Sequence, residues 1–313
     1  MLYCYFGHHK CASTWIRSIL REVTWAAGLT HKEVFCPFLK PEKRTGLITE
    51  DREHLAFDHI ASYLQQKKVQ FAGFPNAVAE VVCNLESVDF RGFHVIRDPR
   101  DLIVSAYFSH LYSHPTDILP ALESHRKRLA AVSKEEGLLL EMEFSSPILH
   151  DLGAWDYSHA NILELKMEEL TARPYEGFVR IFEFLGLLDE GESYSARRRV
   201  RLFVREMLNR ASFRYRWLKW LRQPMPVTGE LLLGRVWDHR FEKKARRRRG
   251  EEDPRSHYRK GQPGDWRNHF TEEHVAAFKE KFGDLVVRLG YEPDNDWGLT
   301  PREPVAQTPT APR

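Results

Sequence analysis

Little in this chain suits it to being cross-linked, to crossing a membrane or to repeating. Its 313 residues hold four cysteines, at positions 4, 11, 36 and 83. They lack the close pairs of a zinc site and sit in no small secreted scaffold, so free thiols in a reducing compartment are expected. No apolar run reaches the length of a membrane-spanning helix, and a strand beginning at residue 2 leaves no room for a charged leader with an apolar core. A soluble cytoplasmic enzyme is the expectation. No internal period is visible, which excludes a solenoid. The formal charge of +3 is too small to imply nucleic acid, since a polyanionic small ligand accounts for a local basic excess equally well. With 42% hydrophobic residues the chain can bury one large core or two modest ones, and a single α/β domain is the economical reading.

What is present starts at the beginning. Leu2-Tyr3-Cys4-Tyr5-Phe6 reads as a buried strand, and Gly7-His8-His9-Lys10-Cys11-Ala12-Ser13-Thr14-Trp15 as the turn into a helix that runs to about Ala27. Unpaired amides and the positive end of the helix dipole suit such a turn to an anion, with Lys10, Ser13 and Thr14 as further donors. It is not an ordinary nucleoside-triphosphate loop, because Cys11 and Ala12 separate Lys10 from the hydroxyls and only Gly7 supplies flexibility.

Farther on, residues 29–50 read as irregular, 51–66 as helix and Val69–Phe74 as strand. Gly92–Arg97 is a strand running into Asp98-Pro99-Arg100-Asp101 and a helix to about Ser113, Pro99 suiting its first turn. Helical stretches are expected over 116–145 and 148–158, a strand over 161–166, and an amphipathic helix over 175–185. From Arg197 to Arg222 an Arg-rich stretch keeps Val200, Phe203, Val204, Met207 and Leu208 at helical spacing, which reads as a basic-faced structural helix. Residues 240–249 read as an exposed basic loop. A helix capped by Thr271 runs to Leu289, and a Pro- and Thr-rich segment from 293 to 313 reads as a disordered tail after a domain of residues 1–292. Successive strand-to-helix junctions with polar residues place ligands at one edge of a central parallel β-sheet flanked by helices.

Three segments carry a resemblance to a known family. The loop Lys10-Cys11-Ala12-Ser13-Thr14-Trp15 resembles the phosphosulfate loop of sulfotransferases that use PAPS, 3′-phosphoadenosine 5′-phosphosulfate. Residues 93–108, FHVIRDPRDLIVSAYF, match that family's 3′-phosphate element through Arg97, Pro99 and Ser105, although Arg97–Asp98 alone reads equally as an ion pair at a sheet edge. Arg259-Lys260-Gly261-Gln262-Pro263-Gly264-Asp265-Trp266 is similar to its late clamp over the nucleotide. On these matches the chain is identified as a member of the PAPS-dependent sulfotransferase superfamily.

The resemblance implies PAPS as sulfuryl donor, no required metal, and a phenol, steroid, sugar or lipid hydroxyl as acceptor. It assigns the nucleotide to Lys10, Cys11, Ala12, Ser13, Thr14, Trp15, Arg97, Ser105, Arg259, Lys260 and Gly261, with Lys10 against the leaving phosphate. The base is open. Many members carry a histidine where this chain has Phe74-Pro75-Asn76, and carbohydrate-type members use a glutamate that Glu33 matches, with His31 and His9 as rivals. Ala12 stands where the family has glycine, Met167 where many members have an adenine-side tyrosine, and the family's C-terminal dimer motif is absent. Two other readings remain beside this one: a P-loop kinase-like phosphotransferase, which needs magnesium ligands, and a basic nucleic-acid-binding protein using 197–249.

Overall fold

The computed structural model describes residues 1–116, 120–189 and 195–299. Strands β1 (Leu2–Gly7), β2 (His31–Phe35), β3 (Leu47–Thr49), β4 (His54–Leu55), β5 (Phe71–Phe74), β6 (Phe90–Ile96) and β7 (Ile162–Lys166) form one sheet in the order β4-β3-β2-β5-β1-β6-β7. From β2 to β7 neighbouring strands are parallel, while β3 and β4 add antiparallel at one edge. The helices in chain order are α1 (Ser13–Ala26), α2 (Ile60–Gln66), α3 (Ala79–Cys83), α4 (Pro99–Phe108), α5 (Pro120–Ala130), α6 (Lys134–Phe144), α7 (Ser146–Ala154), α8 (Met167–Ala172), α9 (Pro174–Phe184), α10 (Ala196–Arg214), α11 (Gly229–Asp238), α12 (Phe241–Ala245), α13 (Glu272–Phe282) and α14 (Leu285–Arg288).

The chain divides into two compact units, residues 1–97 with 146–263, and residues 98–145 with the chain from Gly264 on. The first holds the entire sheet. Its central strands are apolar on both faces because both are covered, as in other parallel sheets. Tyr5, Phe71, Phe93 and Leu165 enter one buried cluster with α1 and α9, whereas Cys4, Phe6, Ala72 and Phe74 enter another with Val34, Ile60 and Trp155. Gly92 keeps β6 close to β1, since a Cβ there would lie 2.6 Å from the Phe6 ring.

In the second unit, α6 packs on α4, α5 and α13. Asp98 caps α4 by accepting from the Arg100 amide and also holds the Arg100 side chain at 2.8 Å. That guanidinium lies against the rings of both Trp266 and Trp297, at 4.0 and 4.6 Å, and the two rings meet edge to face. Asp101 accepts from the amides of Gly264 (2.6 Å) and Trp266 (2.8 Å), fixing the start of the next segment onto α4. A buried carboxylate, Glu141, accepts from His110 Nδ1 at 3.0 Å and His125 Nε2 at 2.9 Å.

The α/β architecture and its flanking helices are as the sequence implies, with four differences in the elements. Residues 29–50 are only partly irregular: β2 and β3 flank the stretch 36–46, which holds Pro37, Pro41 and Gly46. The helix expected over 51–66 shrinks to α2, preceded by β4 and a 3₁₀ turn. The basic stretch 240–249 contains α12, and Arg247 within it is tied to the carbonyls of Tyr258 and, at 2.9 Å, of Arg259. The C-terminal helix is capped by Thr271 and His274 as a reciprocal box but breaks at Gly283, φ 56°, into α13 and α14. Of the expected tail, residues 300–313 lie outside the described residues, and ahead of them Trp297 is buried.

Candidate functional site

The loop between β1 and α1 turns on two non-glycine residues in the left-handed region, Lys10 (φ 63°) and Ala12 (φ 58°). That conformation strains a residue bearing a Cβ and persists only where the surroundings enforce it. Here Ser13 Oγ donates to the His8 carbonyl at 2.9 Å, the Cys11 amide donates to the same carbonyl at 3.2 Å, and Arg97 Nη1 donates to the Lys10 carbonyl at 3.1 Å. The loop of β1 and the end of β6 are thus joined through Lys10 and Arg97, two of the residues the sequence assigns to one nucleotide. Helix α1 starts with no side-chain cap and no acidic residue in its first turn. The Trp15 amide turns back to the Ala12 carbonyl at 3.0 Å, and the amides of Ser13 and Thr14 with the helix dipole suit an outside anion.

The neighbouring residues take different parts. Cys11 is fully buried, and burial, eased slightly by Arg97, pushes its thiol up to about 12, so it serves as packing and not as a nucleophile. Thr14 is exposed at the mouth of the turn. Trp15 is buried with its ring edge against Phe178 at 5.6 Å, and its Nε1 donates to the His239 carbonyl at 2.9 Å. Gly261 has φ 69°, and a Cβ there would lie 2.7 Å from the Phe241 ring. Arg259 pairs with Glu252, and the Lys260 carbonyl accepts from the Gly250 amide at 2.9 Å. Tyr258, just before them, packs on the same buried cluster as Ala12 and Trp15. Ser105 lies half-buried on α4, in the second unit.

Glu33 is not on a loop after the first helix, as the sequence suggested, but inside β2. It is buried there, ion-paired to Arg17 and 3.6 Å from His31 Nε2. His31 in turn shares a 2.9 Å hydrogen bond through Nδ1 with Thr24 Oγ1. Neither lines the cleft beside the loop. That cleft is bounded by His8, His9, Phe38, Arg44, Asn76 and Asp151 among others. Arg44 reaches Asp151 at 2.6 Å.

One constellation went unread in the sequence. From the cleft wall, His8 Nε2 lies 2.8 Å from His94 Nε2, and His94 Nδ1 lies 2.7 Å from Glu164 Oε2. Trp155 Nε1 donates to Glu164 Oε1 at 3.0 Å, and its ring stacks on His94 at 4.1 Å. The register explains the alignment: His94 is directly opposite Phe6 on β1 and Glu164 on β7, and His8 follows Phe6 by two residues onto the same face. Burial, then the neighbouring His94 and Arg44, holds His8 well below its ordinary value, and burial lowers His94 to about 3, so both imidazoles are neutral. Burial also raises Glu164 to about 7, against the opposing Trp155 hydrogen bond. A signal existed, since His94 and Glu164 are polar residues in the middle of apolar strands, but their pairing depends on register.

No family model matches the chain, and no curated protein matches it. Solved structures similar to it over 91% of its length include mouse sulfotransferase SULT7A1 complexed with PAP, at 14% identity over 83% of that chain with TM-score 0.49. Retinol dehydratase in complex with androsterone and inactive cofactor PAP follows at 15% identity over 80% of its chain, TM-score 0.44. The same enzyme in a complex with retinol and PAP gives 15% over 80%, TM-score 0.41.

Proposed function

We propose that the protein is a PAPS-dependent sulfotransferase acting on a hydroxyl-bearing small molecule, lipid or carbohydrate, with the base at His8. The observation that carries the reading is the hydrogen bond joining Arg97 to the Lys10 carbonyl beside the uncapped start of α1. It supports an anion site whose cations come from β1 and β6, as the sequence motifs imply. Uncapped amides with no competing carboxylate fit a phosphate group. In this reading Lys10 and the amides of residues 12–14 hold the leaving phosphate, and Arg97, Arg259, Lys260 and Gly261 hold the 3′-phosphate. Trp15 borders the adenine. The donor supplies a sulfuryl group linked through oxygen to a phosphate, and a group with one negative charge is oriented by cations without a metal.

The acceptor must lose a proton. With Glu164 ionised, His94 donates from Nδ1 to the carboxylate and accepts at Nε2 from His8 Nε2–H, which leaves the His8 Nδ1 lone pair as acceptor in the cleft. As the acceptor oxygen bonds to sulfur and the bond from sulfur to the phosphate oxygen breaks, the hydroxyl proton passes to His8 Nδ1. The Nε2 proton moves to His94, and the His94 Nδ1 proton to Glu164. If Glu164 starts protonated, the hydrogen bonds reverse, His8 Nδ1 carries a proton, and the base is lost. The rate should therefore rise with pH through about 7.

Incubation with radiolabelled PAPS and a panel of phenols, steroids, sugars and glycolipids tests the activity, with PAP calorimetry alongside. Arg97→Ala should weaken PAP binding about tenfold or more without loss of fold. Failure of the wild-type chain to bind PAP would overturn the reading. His8→Gln should lower kcat by about 10²-fold or more while keeping PAP affinity. An unchanged kcat there returns the base to Glu33, His31 or His9.

A further inference from the structure

Helix α10 is inverted relative to an ordinary surface helix. Its apolar residues Val200, Phe203, Val204 and Met207 recur at one-face spacing, and they face solvent at 63, 63, 48 and 51% exposure. The buried residues of the helix are Asn209 and Ser212. Asn209 explains the orientation: its Nδ2 donates to the Ala26 carbonyl at the end of α1 (3.0 Å) and to the Gln223 carbonyl (2.9 Å), and its Oδ1 accepts from the Gln223 amide (2.9 Å). One of these hydrogen bonds ties the polar side of α10 to the end of α1 and the other two tie it to Gln223, which turns the apolar side out. The structural helix expected from the sequence is present, but its apolar stripe is not core.

The exposed surface continues past the helix. Residues Arg216–Leu221 form a 3₁₀ turn, in which positions three apart project on the same side, and Trp217 and Trp220 stand 75% and 76% exposed. Helix α11, tied to α10 by the Arg235–Glu206 ion pair at 2.7 Å, adds exposed Leu233 and Trp237. A monomer seldom leaves so many large apolar groups together in water.

Charge identifies the occupant. Between residues 195 and 222 the sequence has nine arginines and one lysine against a single acid, Glu206, whereas the whole chain carries only +3. Arg197, Arg199, Arg201, Arg214 and Lys219 are exposed beside the apolar residues. A second copy meeting this face symmetrically would oppose like charges. Exposed indoles, a stripe of aliphatic side chains and flanking arginines are instead the chemistry of a helix lying in a lipid interface.

We infer that α10 and the 3₁₀ turn Arg216–Leu221 form a docking surface for an anionic phospholipid bilayer, with Phe203, Trp217 and Trp220 inserted at headgroup depth and the arginines against lipid phosphates. The inference stands apart from the chemistry assigned to the loop of β1. No helix among the described residues is long and apolar enough to cross a membrane.

The test is sedimentation of the full chain with vesicles of phosphatidylcholine containing about 30% phosphatidylserine, against vesicles of phosphatidylcholine alone. The wild-type chain should pellet with the anionic vesicles, bind the neutral ones at least about tenfold more weakly, and be released by raising the salt. Trp217→Ala/Trp220→Ala should lower partitioning by about tenfold or more, as should Arg199→Glu/Arg201→Glu. Because all four side chains are exposed, circular dichroism and the melting temperature should be unchanged. Absence of binding to anionic vesicles, or binding indifferent to both double variants, overturns the inference. So does a dimer in light scattering that Trp217→Ala/Trp220→Ala converts to monomer, which would assign the face to a second copy.

Discussion

At the residue scale, two positions show how the structure accepts local cost. Ala12 holds φ 58° with a side chain in a region where glycine is at ease. Ala12→Gly should raise stability by about 1 kcal/mol, read as a higher urea midpoint with unchanged slope. The sequence marked Ala12 as a departure from the glycine of similar loops, but only the backbone shows that the glycine conformation was kept. The second position is Glu141. Its burial alone would raise its pKa, yet His110 and His125 overcome that and bring it down to about 2. A depressed carboxylate gives stability that is complete above the unfolded value and lost as pH falls. The second unit should therefore weaken progressively from about pH 4.5 toward pH 2, followed by circular dichroism across an acid titration. Glu141→Gln removes the charge facing the two imidazoles and should cost about 3 kcal/mol at neutral pH.

At the scale of elements, the sequence was most legible where one rule acts alone. The strands around Tyr5, Phe93 and Leu163, the Pro99 start of α4 and the Thr271 cap all follow from local chemistry, and each is present within a few residues. It was least legible where partners lie far off in the chain. β2 and β3 are short and separated by a segment with two prolines, so they become strands only through pairing with β5 and with each other. The outward stripe of α10 follows from Asn209 meeting the end of α1, which no periodicity reports. The segment around Gly261 is a further element-scale case. A methyl group there meets Phe241 in a backbone conformation that already disfavours it. Gly261→Ala should weaken PAP binding about tenfold, measured by calorimetry, while leaving the β1 loop and its Arg97 bond in place.

At the scale of the whole molecule, the parallel sheet of the first unit does more than hold the loop. Lys10 and Arg97 were legible as candidates because strand ends in such sheets gather ligands at one edge. The histidine chain was not, because it depends on which strands are neighbours: His8 follows β1, His94 is on β6 and Glu164 on β7, separated in sequence by 86 and 70 residues. That chain runs from the cleft to the outermost parallel strand, where the Glu164 side chain is 25% exposed. On the proposed relay, a proton taken up at His8 would end on Glu164, the partly exposed group at the far end of the chain. Turnover in mixtures of light and heavy water should then give a bowed dependence on deuterium fraction, the signature of several hydrogens in flight together, and Glu164→Gln should straighten it.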